Sequence, residues 1–153
     1  MLRLSKKADY ALLAMRHLAA HTDRGAASAR EIAETYDIPA ELLAKVLQKL
    51  VRAGVLASHQ GIHGGYGMAR PAETVSVADV IQAVDGPVTV TACSDTDQSC
   101  EQYAKCNIRD PLWRIKDRIV QALASTSVAE LVAEAPLVPP VPVVNSLPLV
   151  RRS

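Results

Sequence analysis

At 153 residues, 49% of them apolar, the chain has material for one compact core with an appendage resting on it. Seventeen Lys and Arg nearly balance sixteen Asp and Glu, but residues 1–70 hold ten basic and six acidic side chains against seven and ten in 71–153, so the basic half is the candidate nucleic-acid face. One Trp, four Tyr and no Phe argue against an aromatic base-stacking platform, and no segment is long and apolar enough to span a bilayer.

From Ser5 to about His21, apolar residues at Ala8, Ala11, Leu12, Met15, Leu18 and Ala19 have the one-sided spacing of an amphipathic helix. Arg16 and His17 break this run and no small-residue cleavage pattern follows, so it is not a signal peptide and a cytoplasmic location is expected. Ser28 with Glu31 makes a capping-box pattern opening a second helix that runs to about Tyr36. Asp37, Ile38 and Pro39 break the chain, and Pro39 suits the first turn of a third helix, where its missing N–H costs nothing. Leu43, Val46, Leu47 and Leu50 form the core stripe of that helix, which stops at Gly54. Two short helices separated by so brief a break, the second more basic, make the helix-turn-helix pattern.

Val55 and Leu56 lead into a polar, glycine-rich turn from Ser58 to Gly67, then Met68, Ala69, Arg70 and Pro71, which predicts a two-stranded wing. Ser76 with Asp79 starts a fourth helix carrying Val80, Ile81 and Val84 and ending at Gly86. The stretch 87–110 holds all three cysteines and few core-forming residues, so it is a loop that needs something else to order it. Pro111 opens a longer helix, to about residue 125, whose face of Leu112, Ile115, Ile119, Ala122 and Leu123 suits a two-fold dimer contact. From Ala135 onward, five prolines in nineteen residues predict an extended or disordered tail outside a unit of residues 1–134. The expected fold class is therefore mainly α with a small β wing: a winged helix-turn-helix plus a long dimerisation helix.

On the exposed side of the third helix lie Ala40, Glu41, Ala44, Lys45, Gln48, Lys49 and Arg52. Lys45 and Gln48 have the donors that base edges need, whereas Lys49 and Arg52 suit phosphates. Taken alone, these charges suit a solvated helix face better than a DNA contact. In the wing, Gly61, Gly64 and Gly65 permit close backbone approach, while His63 and Arg70 have the reach for a minor groove. Helix and wing in this order favour double-stranded DNA as the partner.

Cys93, Cys100 and Cys106 are close enough to converge on one soft metal centre. A reducing cytoplasm disfavours disulfides among them, and no His follows residue 63, so a local Cys/His zinc finger cannot be completed. Spacing leaves three readings open: an iron-sulfur cluster, zinc with a carboxylate, and unrelated free thiols.

Several stretches together resemble the IscR/NsrR/RirA (Rrf2) family of winged-helix iron-sulfur regulators. They are LRLSKKADYALLAM, DIPAELLAKVLQKLVRAGVL, GIHGGYGMARP with its Gly64-Gly65-Tyr66, SVADVIQAVDGPV, the cysteine loop and DPLWRIKDRI, covering about residues 1–134. The resemblance implies a homodimer on a palindromic operator, with a [2Fe-2S] or [4Fe-4S] cluster on Cys93, Cys100 and Cys106. Some relatives place a His ligand shortly after the last cysteine, where this chain has Asn107, Ile108, Arg109 and Asp110. Others use an acidic residue near the N-terminus of the partner subunit, and Asp9 matches that position. An Asp in the first turn of a helix is also favoured by the helix dipole alone, and Glu101 and Asp110 are reserve ligands. Within the family, GPVTVTACS, CEQYAKCN and DPLWRI look most like redox-sensing regulators of iron-sulfur cluster assembly genes; a nitric-oxide-responsive repressor is the alternative. Outside it stand a cluster-free regulator with zinc or a thiol switch, and a winged-helix module that binds protein. An enzyme is disfavoured, because no nucleophile and base stand at workable spacing.

Overall fold

The computed structural model describes residues 3–91 and 100–133. Helix α1 (Lys6–Ala20) starts at Ser5, whose Oγ accepts the Ala8 N–H at 3.0 Å and so satisfies one of the donors that a helix start leaves open. Its inner face, Ala8, Ala11, Ala14, Met15 and Leu18, is at most 3% exposed. Helix α2 (Ala29–Tyr36) is capped by Ser28 Oγ on the Glu31 N–H (3.1 Å). It ends at Asp37 in the left-handed region, a conformation that Asp tolerates through its short polar side chain. Pro39 then takes the N-cap of α3 (Ala40–Arg52), one position before the expected first turn. The buried stripe of α3 is the expected Leu43, Val46, Leu47 and Leu50. Gly54, at φ +79°, reverses the chain, with its own N–H on Val51 O and the Val55 N–H on Leu50 O.

The wing is the antiparallel pair β1 (Leu56–His59) and β2 (Gly65–Met68), in register Leu56 with Met68 and His59 with Gly65. The expected turn from Ser58 to Gly67 is shorter than its composition suggested, because Ser58, His59 and Gly65–Gly67 continue the ladder and leave only residues 60–64 to reverse direction. Tyr66 also exchanges both backbone hydrogen bonds with Ala27 (2.8 and 3.0 Å), so the wing is tied to the segment before α2. That approach demands glycine at 65: a Cβ there would lie 2.4 Å from Ala27 O, and its φ is +147°.

Helix α4 (Val77–Asp85) carries a complete capping box between Ser76 and Asp79. Helix α5 (Arg109–Ser125) begins two residues before the expected Pro111, which is accommodated within the first turn, where no intrahelical N–H bond is lost. A sixth helix, α6 (Val128–Ala133), was not expected from the sequence. Backbone pairing of Ser76 with Ser127 and the fully buried Val128 hold it against the body, and Arg16 Nε donates to Leu131 O (3.1 Å). Helices α3, α4 and α6 all pack on α1, and α5 packs on α4. The main core runs from α1 through α3 to Val75, Val80 and Val84, and a second cluster joins Ala8, Val77 and Ile81 to Leu123 of α5. The tail from residue 135 lies outside the described residues. Gly65→Ala is expected to cost about 1–3 kcal/mol in strain and to loosen the wing from Ala27; urea unfolding with an unchanged midpoint contradicts this.

Candidate nucleic-acid interface and cysteine loop

Burial of the α3 stripe turns Ala40, Glu41, Lys45, Gln48, Lys49 and Arg52 to the exposed side, with Ala44 half-buried between them. The face is not uniformly free. Gln48 Nε2 donates to Tyr66 Oη at 2.8 Å, joining the third helix directly to the wing. Lys49 Nζ donates to Val84 O at 3.1 Å and therefore points along the protein toward the end of α4. Lys45 and Arg52 are the exposed cations beside them.

Arg70 stands just beyond β2, where its Nη2 lies 3.7 Å from Asp79 Oδ2 in a half-exposed ion pair. Asp79 also accepts from the Ser76 N–H, so Arg70 is held at the root of the wing, while the exposed His63 and half-buried Gly64 and Gly65 occupy its far end. The wing tip carries a residue that sequence reasoning passed over: Ile62, 99% exposed. Its only signal was an apolar side chain inside a polar, glycine-rich turn. An open cleft of about 800 Å³ separates the wing from the α1–α2 connection, lined by Arg24, Ser28, Glu31, His59 and His63 among others.

His17, which interrupts the apolar run of α1, is engaged on the side of that helix. Its Nδ1 is 2.9 Å from Tyr36 Oη and its ring lies 4.5 Å from that of His21, tying the end of α1 to α2. Burial first, then the neighbouring His21, lowers its pKa below the ordinary histidine value.

Of the three cysteines, Cys93 lies outside the described residues. Cys100 and Cys106 are half-buried free thiols bracketing one turn of 3-10 helix at Tyr103–Lys105. The Tyr103 N–H donates to Cys100 O (3.0 Å), so the turn opens on Cys100, and Cys106 is its C-cap. Arg109 lies over the rings of Tyr103 (4.5 Å) and Trp113 (5.4 Å) and donates to Tyr103 O (3.2 Å) and Asp110 Oδ1 (3.0 Å). Asp110 is thereby engaged with a cation. Asp9 is half-buried in the first turn of α1, and among the described residues no three His, Cys, Asp or Glu side chains gather as a metal site within one chain.

The donor set fits a metal–sulfur group. Thiolates are ligands for soft centres, and the Trp113 Nε1–H is buried without an acceptor among the described residues in the same patch. An indole N–H left orphaned beside a thiol loop suits a sulfur acceptor.

The profile of the Rrf2 family, described as iron-dependent transcriptional regulators, matches residues 4–134. The chain belongs to the Rrf2 family. Among curated relatives of this Rrf2 protein, the HTH-type transcriptional regulator IscR of Xenorhabdus nematophila is 35% identical over 132 residues, covering 86% of this chain and 79% of the relative. The IscR of Pectobacterium atrosepticum is 34% identical over the same share of each. Among solved structures, CymR, the global cysteine regulator of B. subtilis, superposes with a TM-score of 0.72 at 28% identity, covering 87% of this chain and 98% of that one. The IscR of T. potens follows at a TM-score of 0.70 and 26% identity, covering 88% and 89%. The Rrf2 protein is thus a DNA-binding transcription regulator with a winged-helix fold. No helix among the described residues is long and apolar enough to cross a membrane.

Replacing both Lys45 and Gln48 with Ala is expected to weaken binding to a preferred duplex by tenfold or more, because each base contact carries about 1–3 kcal/mol of discrimination. Gel-shift titration checks this, and an unchanged affinity shows that α3 is not the reading helix.

Proposed function

We propose that this Rrf2 protein is a homodimer that reads a palindromic operator with α3 and the wing. Its affinity is set by an iron-sulfur cluster, [2Fe-2S] or [4Fe-4S], on Cys93, Cys100 and Cys106, with Asp9 of the partner subunit as fourth ligand. Its targets are the genes of iron-sulfur cluster assembly. The observation that carries this reading is the position of Cys100 and Cys106: half-buried, on a turn without a core of its own, between α4, which packs on the reading helix, and α5. A dimer on α5 is supported by the exposure of Ile108 (58%) and Ile115 (45%), while Leu123 on the same helix is spent on the chain's own core.

When bound, such a group supplies electron and ligand exchange at iron, which couples its presence to oxidants, nitric oxide or iron supply. The chain contributes the surroundings. Arg109 places a cation three residues after Cys106, offsetting thiolate charge, and the hydrogen bond to the Asp110 carboxylate raises the pKa of that guanidinium still further above neutrality. It lies over the rings of both Tyr103 and Trp113.

A second reading is a cluster-free regulator using zinc or a thiol switch, favoured by the likeness to a cysteine regulator. Visible absorption with iron and acid-labile sulfide assays on protein purified under nitrogen separates the two. The proposal expects a brown protein with stoichiometric iron and sulfide, and expects Cys100→Ala to lose both while keeping the far-ultraviolet circular dichroism of the winged helix. A colourless protein that resists reconstitution favours the second reading.

A further inference from the structure

Lys49 leaves the direction that the rest of its helix face takes. Its ammonium donates to the Val84 carbonyl at 3.1 Å. Val84 lies in the last turn of α4, where carbonyls lack intrahelical partners and the negative end of the helix dipole accumulates. The cation therefore satisfies a group that α4 cannot satisfy itself.

The same turn of α4 is a junction. Asp85 accepts a hydrogen bond from the Ser5 hydroxyl, whose oxygen also caps α1 four residues before Asp9. Gly86, at φ +77°, redirects the chain into Pro87 and the start of the cysteine loop, and Val88 packs on Ala8, Val77 and Ile81. On the other side, Lys49 is the immediate neighbour of Gln48, which holds the wing through Tyr66. The end of α4 thus meets the reading helix, the N-terminus of α1 and the root of the loop within one turn.

We propose that Lys49 is a positioning residue that transmits the state of the cysteine loop to the reading helix through the Val84 carbonyl. This rests on the reading that a group on the cysteines governs DNA affinity. When the loop changes its anchorage at Gly86 and Val88, the last turn of α4 moves with it. The Lys49–Val84 bond then shifts the C-terminal half of α3, and with it the Gln48–Tyr66 contact. A lysine serving only as a phosphate contact has no such link: it strengthens binding in both states alike and adds about one unit to the salt dependence.

The test measures affinity for a duplex selected by the wild-type protein from a random-sequence pool, across a salt series, for cluster-loaded and cluster-free forms of wild type, Lys49→Gln and Lys49→Arg. The two wild-type forms are expected to differ, and Lys49→Gln to bring their ratio to within about twofold of unity, with iron, sulfide and salt slope unchanged. Lys49→Arg, which keeps the donor and the charge, is expected to retain most of the ratio. If Lys49→Gln keeps the wild-type ratio, or weakens both forms equally with a salt slope lower by about one, the inference fails while the cluster reading stands. If the two wild-type forms bind alike, the cluster reading fails and the coupling through Lys49 falls with it.

Discussion

Helix α1 presents Ala8, Ala11, Ala14, Met15 and Leu18 to the interior with almost no exposure, and the other described long elements take their positions from that face directly or at one remove. Three alanines on one side leave little side chain between backbones, so α3, α4 and α6 approach closely and bury Leu43, Leu47, Val80 and Val128 against it. Close packing of this kind transmits displacement, because a core at crystal-like density has little free volume in which to absorb it. A regulator needs this property: the loop that carries the cysteines is rooted on α4, the reading face is proposed on α3, and both helices lie against α1.

Much of this arrangement is local physics and was legible in the chain. The stripe of Leu43, Val46, Leu47 and Leu50 recurs at helical spacing, Ser76 and Asp79 announce a helix start, and Gly54 marks a stop. The wing was readable from its glycines, although composition overstated its turn: Ser58, His59, Gly65 and Gly67 are small or polar and still pair as strands. What could not be read depends on residues distant in sequence. Helix α6 exists because Ser127 pairs with Ser76 and Val128 finds a buried site, neither of which leaves a periodic signal in six residues.

The interface shows the same division. Periodicity put Lys45, Gln48, Lys49 and Arg52 on one face, but it carried no information on which of them the fold would engage. Gln48 is bonded to Tyr66, Lys49 to Val84 and Arg70 to Asp79, each across a gap that only tertiary structure closes. These bonds fix the shape of the proposed reading head in the free protein, and groups held in place beforehand lower the ordering cost of binding. Lys45, Arg52 and the wing tip around Ile62 and His63 are exposed groups of that surface outside these three bonds.

The cysteine loop is the complementary case, a segment whose own residues offer little to hold it. Cys100 and Cys106 share one short turn, Arg109 lies against the rings of Tyr103 and Trp113, and the Trp113 N–H lacks an acceptor among the described residues. In the proposed reading, what this loop binds orders it and links its state to that of α4. Amide hydrogen exchange on cluster-loaded and cluster-free protein tests that link most directly. Added protection on loading is expected in the loop, in the last turn of α4 around Val84 and Asp85, and in the C-terminal half of α3, with the Ala11–Leu18 stretch of α1 unchanged. A change confined to the loop, with α3 and α4 exchanging identically in both forms, would contradict the account.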